Sequence, residues 1–310
     1  MMRGFPKVAR AAFASALAAL PLAASVALPV AAQDYGDTPY VQTPRNVVEK
    51  MLEVAKVGPT DYVIDLGSGD GRMVIMAAKD RGARGYGVDL DRKLVALANR
   101  NAKTAGVADR AQFFERNLYE TDLRPASVLT IYLLPEVNMM VRPKLFKELK
   151  PGTRVVTHDY DMGDWPPDLA LVMDAPDKPV GRDKKSKVFL YIVPGNAAGA
   201  WRWRVGSGVD ATDWRAEFRQ NFQKLTGSVV RGGVPLKLQD AALTGEQVRW
   251  VAADDAGGRW TFDGTLYGNA IEGTMTTPGG DKRPWQATRT ELGEPAHINA
   301  PVILPPQIPQ

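Results

Sequence analysis

Hydrophobic and polar positions follow two different patterns along the chain, which change near residue 195. Between residues 40 and 194, short apolar runs alternate with longer amphipathic ones, which is typical of strands joined by helices in a parallel sheet. Beyond residue 200, apolar positions recur at every second residue, as in half-buried antiparallel strands. The pattern therefore predicts an α/β region followed by a small all-β region.

In the α/β region, buried apolar runs predict the strands and one-sided apolar patterns predict the helices. Thr43 is suited to cap the first helix, and Pro44 is suited to its first position. The predicted helices are 44–56, 71–81, 92–105 and 135–149, and the predicted strands are 62–66, 85–90, 112–115, 128–134, 153–158, 169–173 and 187–193.

The all-β region is predicted to be an antiparallel meander of about seven or eight strands, arranged as a sandwich or a partly open barrel. Most of the seven Trp residues lie in this region. We interpret them as core residues, and an aromatic surface for a ligand or partner is the alternative. The clearest alternating runs are 201–205, 214–222, 248–252, 260–266 and 285–289.

The N-terminus has the pattern of a secretory signal peptide. Arg3, Lys7 and Arg10 precede an uncharged apolar run from Ala11 to Ala32, which ends in small residues that a signal peptidase accepts. This predicts a periplasmic or secreted protein, with a membrane anchor formed by residues 11–32 or an organelle presequence as alternatives. The expected domains are a signal peptide at 1–32, the α/β domain at 33–195, the β domain at 200–292 and a Pro-rich tail at 293–310.

Composition and charge limit the possible partners. The first 33 residues contribute three basic residues and no acid to the net charge of +4, so the rest of the chain is nearly neutral. Binding of nucleic acid requires an excess of basic residues, so no nucleic-acid partner is predicted. The chain has no Cys, which is compatible with an oxidising compartment. No sequence pattern typical of a metal site, a nucleophile elbow or a phosphate loop is present.

A glycine-rich turn, DLGSGDG at residues 65–71, lies between a predicted strand and a predicted helix. Glycine allows a tight turn there and lets a ligand approach the backbone. The turn also carries Asp65 and Asp70, which would repel the pyrophosphate of a dinucleotide but attract the sulfonium and ammonium groups of S-adenosylmethionine (SAM). The Gly-x-Gly-x-Gly spacing also differs from the dinucleotide fingerprint. The turn therefore predicts a SAM site, and a degenerate fold without binding is the alternative.

Side chains after the next two strands extend this predicted cofactor site. Asp89 ends a strand, where its carboxylate can accept hydrogen bonds from both ribose hydroxyls. Asn117 and Leu118 follow the third strand, where a polar and an apolar side chain could hold the adenine. The predicted cofactor-binding residues are Asp65, Gly67, Ser68, Gly69, Asp70, Gly71, Asp89, Leu90, Asn117 and Leu118.

The motifs GSGDGR and GVDLD resemble those of class I SAM-dependent methyltransferases. More narrowly, the segments YVQTP at 40–44, TIYLLPEV at 130–137 and VVTHDY at 155–160 resemble the small protein-lysine methyltransferase-like family. Mitochondrial members of that family modify lysines of inner-membrane proteins. The resemblance covers about residues 38–193.

This resemblance implies a Rossmann-like sheet of seven strands, one of them antiparallel, and it implies that Tyr40 and Thr43 fold over the methionine end of SAM. The leader and the β region are not part of that family's core. The resemblance therefore does not identify the substrate.

Methyl transfer needs a general base only when the nucleophile arrives protonated, as a lysine does. Tyr132, Glu136 and Asp159 are the catalytic candidates, because they lie at or beyond the carboxyl ends of predicted strands, where α/β sheets bind ligands. Each has an ordinary alternative: core packing for Tyr132, a first-turn helix acid for Glu136, and a turn or cap for Asp159. We interpret His158 as structural, with a role facing the substrate as the alternative.

The sequence thus predicts an N-directed SAM-dependent methyltransferase whose acceptor is a protein lysine or a small molecule. After removal of the leader, no membrane span is expected, and the oligomeric state is left open. One alternative is a non-catalytic module that binds SAM or a nucleoside. The other is an envelope interaction protein that acts through its β region. The leader conflicts with the supply of SAM, which is made in the cytosol.

Overall fold

The computed structural model describes Met1 and residues 40–298. Every element described below belongs to one compact unit, which begins at Tyr40. Apart from Met1, the predicted signal peptide lies outside the described residues, as does most of the predicted tail. None of the described helices is both long and apolar enough to cross a bilayer.

The α/β region contains seven strands and four helices that alternate along most of its length. The helices are α1 (Arg45–Val54), α2 (Arg72–Arg81), α3 (Arg92–Thr104) and α4 (Pro135–Glu148). The strands are β1 (Tyr62–Leu66), β2 (Arg84–Asp89), β3 (Ala111–Glu115), β4 (Val128–Ile131), β5 (Arg154–His158), β6 (Leu169–Asp174) and β7 (Lys185–Ile192).

These strands form one sheet in the order β3-β2-β1-β4-β5-β7-β6. Strand β7 runs antiparallel to both of its neighbours, whereas β1 to β5 pair in parallel. The expected seven-stranded sheet with one antiparallel strand is confirmed. Strands β1, β4 and β5 are buried along nearly their whole length, which is why they are apolar runs without alternation.

The first helix begins differently from the prediction. Pro44 is its N-cap and the helix starts at Arg45, without a hydrogen bond from a capping side chain. The predicted cap by Thr43 is therefore wrong. Its hydroxyl is instead hydrogen-bonded to Nδ1 of His158, 3.2 Å away on β5, so a partner distant in sequence replaces the local cap.

The β region is a closed antiparallel barrel of eight strands. Each strand pairs with the next one along the chain, and the last pairs with the first. The predicted meander is confirmed, but the barrel is fully closed and is neither a sandwich nor partly open. Closure leaves no unpaired strand edge. The strands are β8 (Gly199–Val205), β9 (Thr212–Asn221), β10 (Lys224–Arg231), β11 (Val234–Thr244), β12 (Gln247–Ala253), β13 (Arg259–Tyr267), β14 (Ala270–Thr276) and β15 (Lys282–Leu292).

Aromatic rings fill the inside of the barrel. Trp203 lies 5.9 Å from Trp250 and 5.6 Å from Trp285, and the latter two rings are 5.0 Å apart. The indole N–H groups of these three residues have no hydrogen-bond acceptor among the described residues. Several of their ring contacts are edge-to-face, which places edges against π faces. This packing supports the interpretation of the tryptophans as core residues.

A second aromatic cluster joins the barrel to the α/β region. Phe222, in the turn between β9 and β10, packs against Phe146 of α4 and stacks on Trp165. The ring of His297 lies 4.7 Å from both phenylalanine rings, and its Nδ1 accepts a hydrogen bond from the backbone N–H of Phe222. Burial lowers the pKa of His297 to about 4, so the imidazole is neutral and can accept this bond.

Candidate functional site

The glycine-rich turn joins β1 to α2 at the carboxyl edge of the sheet. Gly67, Gly69 and Gly71 have φ angles of 76°, 52° and 84°. A Cβ at Gly69 would lie 2.3 Å from the ring of Tyr40, and one at Gly71 would lie 2.6 Å from the ring of Phe113. Side chains at these two positions are therefore excluded both by the backbone and by the neighbouring rings. The ring of Tyr40 thus lies against the turn, and its contact with the methionine end of SAM stays a prediction.

Asp65 is a buried carboxylate at the end of β1. It is 6% exposed, and its Oδ1 accepts a hydrogen bond from the hydroxyl of Thr130 at 2.7 Å. Burial, aided by the charges of Asp89 and Asp70 and opposed by Thr130, raises the pKa of Asp65 to about 7. Among the described residues it has no cationic partner. An unpaired buried carboxylate is costly, so this position suits a cationic ligand.

Asp89 ends β2 beside the turn. Its Oδ2 accepts a hydrogen bond from the backbone N–H of Gly69, and its Oδ1 accepts one from the N–H of Asp91, both at 2.9 Å. These bonds orient the carboxylate, yet each oxygen retains a lone pair. Asp89 is half-buried and can therefore accept hydrogen bonds from hydroxyl groups of a ligand.

The segments that follow β2 and β3 lie side by side, because the N–H of Arg116 donates to the carbonyl of Asp89 at 3.0 Å. Leu90 is 70% exposed there, and Leu118 is half-buried. The side chain of Asn117 accepts a hydrogen bond from the N–H of Tyr119 and so caps a short 3₁₀ turn. This arrangement leaves apolar surface available for a flat ring.

Asp70 is neutralised within the protein. Nη2 of Arg72 lies 2.6 Å from its Oδ2, and Nε lies 2.9 Å from its Oδ1. Burial raises the pKa of Asp70, but the hydrogen bonds and charge of Arg72 outweigh this effect and hold it below the usual value. Arg72 also donates to the carbonyl of Thr43 at 2.6 Å. The turn therefore holds one unpaired carboxylate, Asp65, and the cofactor role of Asp70 stays a prediction.

Ser68 packs beneath the turn. It is 5% exposed, and its Cβ fills the space where a side chain at Gly87 of β2 would lie. Its hydroxyl has no hydrogen-bond partner among the described residues. A cofactor contact from Ser68 stays a prediction.

The side chains at this edge fit SAM. An uncompensated buried carboxylate favours a cation and would repel a pyrophosphate. Asp65 and the backbone of the turn would hold the methionine end, Asp89 the ribose, and Leu90, Asn117 and Leu118 the adenine. In the part of the chain that the structure describes, no group of His, Cys, Asp and Glu side chains could hold a metal ion.

A second cluster surrounds Asp159, directly after β5. Nζ of Lys178 lies 2.8 Å from Asp159 Oδ2, and the hydroxyl of Tyr132 donates to the same oxygen at 3.3 Å. The N–H of Lys187 donates to Oδ1 at 3.1 Å. The φ angle of Asp159 is 61°, unusual for a residue other than glycine. The structure thus brings together two of the three predicted catalytic residues and adds Lys178.

His158 lies beneath this cluster and is 1% exposed. Its Nδ1 is 3.2 Å from the hydroxyl of Thr43, and its Nε2 is 2.9 Å from the hydroxyl of Ser186. Burial lowers the pKa of His158 to about 4, with Lys178 contributing and Asp159 opposing. The ring is therefore neutral, and both nitrogens have partners, which supports its structural interpretation.

Tyr132 and Glu136 differ in their surroundings. Burial and the neighbouring Asp159 carboxylate raise the pKa of Tyr132 above its ordinary value, so its hydroxyl is a donor. Glu136 lies in the first turn of α4. It makes no hydrogen bond or ion pair with Tyr132 or Asp159 in the described chain. Its catalytic role stays a prediction that the geometry does not support.

Lys178 is the residue that sequence reasoning misses. It lies in the loop between β6 and β7, within no recognisable motif. It is nevertheless 8% exposed, and its Nζ also donates to the carbonyl of Lys185 at 2.6 Å. A lysine in a polar loop is ordinarily exposed, so only the folded loop shows that this one is buried.

Comparison with known proteins agrees with this geometry. The model of the ANTKMT methyltransferase domain matches residues 65–169. A protein-lysine N-methyltransferase of Saccharolobus islandicus (strain REY15A) is 43% identical over 157 residues, which are 50% of this chain and 93% of that protein. This chain belongs to the same family of class I methyltransferases. It is a SAM-dependent enzyme, and SAM is its cofactor.

A second curated relative and a solved structure also match the α/β region. The adenine nucleotide translocase lysine N-methyltransferase of Mus musculus is 33% identical to this methyltransferase over 141 residues, 45% of this chain and 60% of that protein. A solved RNA methyltransferase of Salinibacter ruber with S-adenosyl-L-homocysteine is 49% identical, covers 49% of this chain and 93% of its own, and has a TM-score of 0.44. The matched family domain includes none of the barrel of this methyltransferase.

Proposed function

We propose that this methyltransferase methylates the side-chain amine of a lysine in a protein, with Asp159 as the group that accepts the lysine proton. The observation that carries the proposal is the cluster of Tyr132, Asp159 and Lys178 beyond β4 and β5, on the sheet edge that also carries Asp65 and Asp89. The Saccharolobus and mouse relatives are both named as lysine N-methyltransferases, which supports a lysine acceptor.

The reaction determines what the protein must supply. SAM, when bound, supplies a methyl group already activated on a sulfonium, so the protein mainly aligns the acceptor and excludes water. A lysine has an unperturbed pKa near 10.4 and must lose a proton before its nitrogen can attack. A carboxylate at hydrogen-bond distance could first bind the ammonium and then receive its proton.

The surroundings of Asp159 suit this task. Lys178, Tyr132 and the N–H of Lys187 hold its two oxygens in place from the protein side. The charge of Lys178 also disfavours a second cation nearby, because like charges lower the pKa of an approaching ammonium. The carboxylate of Asp159 favours the ammonium form of the substrate, and the charge of Lys178 offsets this attraction, which eases loss of the proton.

An experiment with labelled SAM tests the proposed function. The full chain is incubated with methyl-labelled SAM and cell extract, and methylated peptides are identified by mass spectrometry. We expect label on lysine, and we expect Asp159→Asn to lower the rate by about 10²–10⁴-fold. Asp80→Asn on the exposed end of α2 is the matched control and should retain activity. Label confined to RNA or to other residue types would contradict the proposal, as would an Asp159→Asn variant as active as the parent.

We also propose that residues 1–32 direct export to the periplasm or out of the cell. The support is the sequence pattern of basic residues, an apolar run and small residues. A fusion of residues 1–40 to a reporter that is active only outside the cytosol should be active and released from the membrane. Activity that stays with the membrane would indicate an anchor, and an inactive cytosolic reporter would contradict export.

A further inference from the structure

The outer surface of the barrel carries its charges unevenly. Strands β8, β9 and β10 carry six basic residues against two acidic ones. Strands β11, β12 and β13 carry three basic and two acidic residues. The basic residues of the first group are Arg202, Arg204, Arg215, Arg219, Lys224 and Arg231, and the acids are Asp213 and Glu217.

The basic residues on β11 to β13 are neutralised individually. Each of them has a carboxylate partner within 2.6 to 3.8 Å. These side chains therefore form an ordinary solvated surface of alternating charge. The pairs are Lys237 with Asp255, Arg249 with Asp263, and Arg259 with Asp240.

The basic residues on β8 to β10 are mostly not neutralised. Arg204 has Asp213 at 3.5 Å, and Arg231 stacks on the ring of Trp260. The other four have no ion pair within the described residues: Arg202, Arg215, Arg219 and Lys224. One side of the barrel is thus an unpaired cationic surface.

Two of these arginines face each other directly. Arg202 and Arg215 are opposite residues in the ladder between β8 and β9, and both are exposed. Their other cross-strand neighbours are neutral: Thr288 on β15 for Arg202 and Val230 on β10 for Arg215. Like charges at directly opposite positions destabilise an antiparallel pair. An anion bound between them would remove this repulsion.

A shallow groove of about 400 Å³ crosses the two arginines. Ala200, Ser228 and Thr290 also line it, so small and hydroxyl-bearing side chains leave both guanidinium groups accessible. Glu217 is the single acid among the lining residues. Arginine binds carboxylates through two parallel hydrogen bonds, so the groove is suited to carboxylate groups.

We propose that this groove docks an acidic segment of the protein substrate through Arg202 and Arg215. The proposal rests on the proposed function, because it assumes that the methyl acceptor is a protein. The groove adds affinity at a distance from the reacting lysine, and it selects acceptors that carry Asp or Glu residues outside the methylated sequence.

The composition of this surface favours a polypeptide over a membrane. Surfaces that bind anionic lipid combine basic residues with apolar side chains that insert between the lipids. None of the exposed large apolar side chains of the described residues lies on β8, β9 or β10. Exposed aromatic rings, on which nucleic-acid bases would stack, are likewise absent from these three strands in the described structure.

A binding experiment tests the proposal without requiring turnover. The full chain is titrated into a fluorescein-labelled decaglutamate peptide, and binding is followed by anisotropy at low and at physiological salt. The Arg202→Ser/Arg215→Ser variant should weaken binding by about tenfold or more, because two charge-assisted contacts are lost. Lys237→Ser/Arg249→Ser, which removes the same charge from the ion-paired side, should change it by less than about threefold.

Kinetics then connect the groove with catalysis. With a protein acceptor, the Arg202→Ser/Arg215→Ser variant should raise KM and leave kcat unchanged, whereas a short neutral lysine peptide should be methylated at the parental rate. Equal peptide binding by the two double variants would overturn the docking proposal, as would a preference for phosphatidylglycerol vesicles or single-stranded RNA over the peptide. Arginine-dependent peptide binding without any lysine methylation would overturn the proposed function alone.

Discussion

The α/β region and the barrel differ in what they bury. Nearly all buried polar side chains of the described residues lie in the α/β region. The two exceptions, Gln220 and His297, lie where the barrel joins it, with Gln220 donating to the carbonyl of Gly195. The inside of the barrel is filled with aromatic rings instead. The polar groups that could take part in the reaction are therefore concentrated in the α/β region. The barrel can contact a ligand or partner only through its outer surface.

Strand geometry explains this difference. In a parallel sheet the carboxyl ends of the strands meet at one edge, so residues that end or follow β1, β2 and β5 collect there although they are far apart in sequence. Asp65, Asp89 and Asp159 are such residues. In a small closed barrel, alternate side chains must fill the interior. Polar residues are then placed on the outside, where the arginine groove lies.

The largest loss of stability is expected in the barrel core. Trp285 is 4% exposed and lies 5.0 to 5.6 Å from Trp203, Trp250 and Phe262. Trp285→Ala should lower the free energy of unfolding by about 3–5 kcal/mol, measured by urea denaturation of the full chain. Affinity for SAM, measured by calorimetry, should change less than about twofold, because the two regions have separate cores. A loss of SAM binding in Trp285→Ala would contradict the view that the barrel core and the cofactor site are independent.

The ion pair between Lys178 and the proposed base Asp159 tests the polar interior of the α/β region. The side chains of Lys178 and Asp159 are 10% and 13% exposed. Lys178→Met leaves the carboxylate without its counter-ion and should cost about 3 kcal/mol in the free energy of unfolding. The Lys178→Met/Asp159→Asn double variant leaves no lone charge and should recover much of this loss. A double variant as unstable as the single one would show that packing of the lysine chain, and not its charge, matters here.

A substitution of Asp89, at the end of β2, is expected to have a smaller effect, which is a loss of affinity for SAM. Asp89→Ala removes both acceptor oxygens assigned to the ribose and should raise the Kd for SAM by about 10–100-fold, since hydrogen bonds to charged groups contribute about 1.5–3 kcal/mol. Glu115 pairs with Asp89 across the strands and is exposed, so Glu115→Ala removes a neighbouring carboxylate as a control. Titration calorimetry should show little change for this variant. Equal weakening by both would indicate a general effect of charge.

The smallest expected effect is a pH dependence of the affinity for SAM, which arises from titration of Asp65. The pKa of Asp65 is raised to about 7, so below pH 7 its carboxyl group is protonated in the free protein. A cationic ligand must displace this proton in order to bind. Affinity for SAM should therefore fall as pH decreases below 7, by up to about tenfold per pH unit. For the free protein the sign is opposite: because the folded state binds this proton more tightly than the unfolded one, Asp65 stabilises the fold as pH falls from 7 towards 4.

Calorimetric titrations between about pH 5.5 and 7.5 would measure this dependence, since the α-amino group of the ligand itself loses its proton at higher pH. Asp65→Asn should flatten it. A slope that persists in that variant would assign the titration to another group.

The strands and helices of the α/β region were predicted closely from the sequence, because each is indicated by the residue pattern of one short segment. Strand, turn and helix at 62–81 follow from one apolar run, three glycines and one amphipathic stretch. Asp89 ends its strand and was therefore placed at the correct edge. Thr43 shows the limit, since its capping role was plausible locally but its hydroxyl is bonded to His158.

The barrel was predicted less completely. Strands β10, β11 and β14 were not among the clear alternating runs. The ladder between β10 and β11 contains an irregularity, and so does the ladder between β11 and β12. Gly273 of β14 lies opposite Gly264, where a Cβ at Gly273 would be 1.9 Å from the carbonyl oxygen of Asp263. Pairing with the neighbouring strands holds such strands in place, so their own sequences show little of the alternating pattern from which a strand is predicted.

The sequence by itself determined the class of enzyme and its cofactor, because a tight turn, a strand end and an adjacent acid need only a few consecutive residues. The tertiary structure alone decided which carboxylates are neutralised. Asp159 has Lys178 as its partner, whereas Asp65 has no cationic partner among the described residues. It also decided that β15 closes the barrel on β8. Burial and pairing across long stretches of chain depend on the whole fold, and no local pattern carries that information.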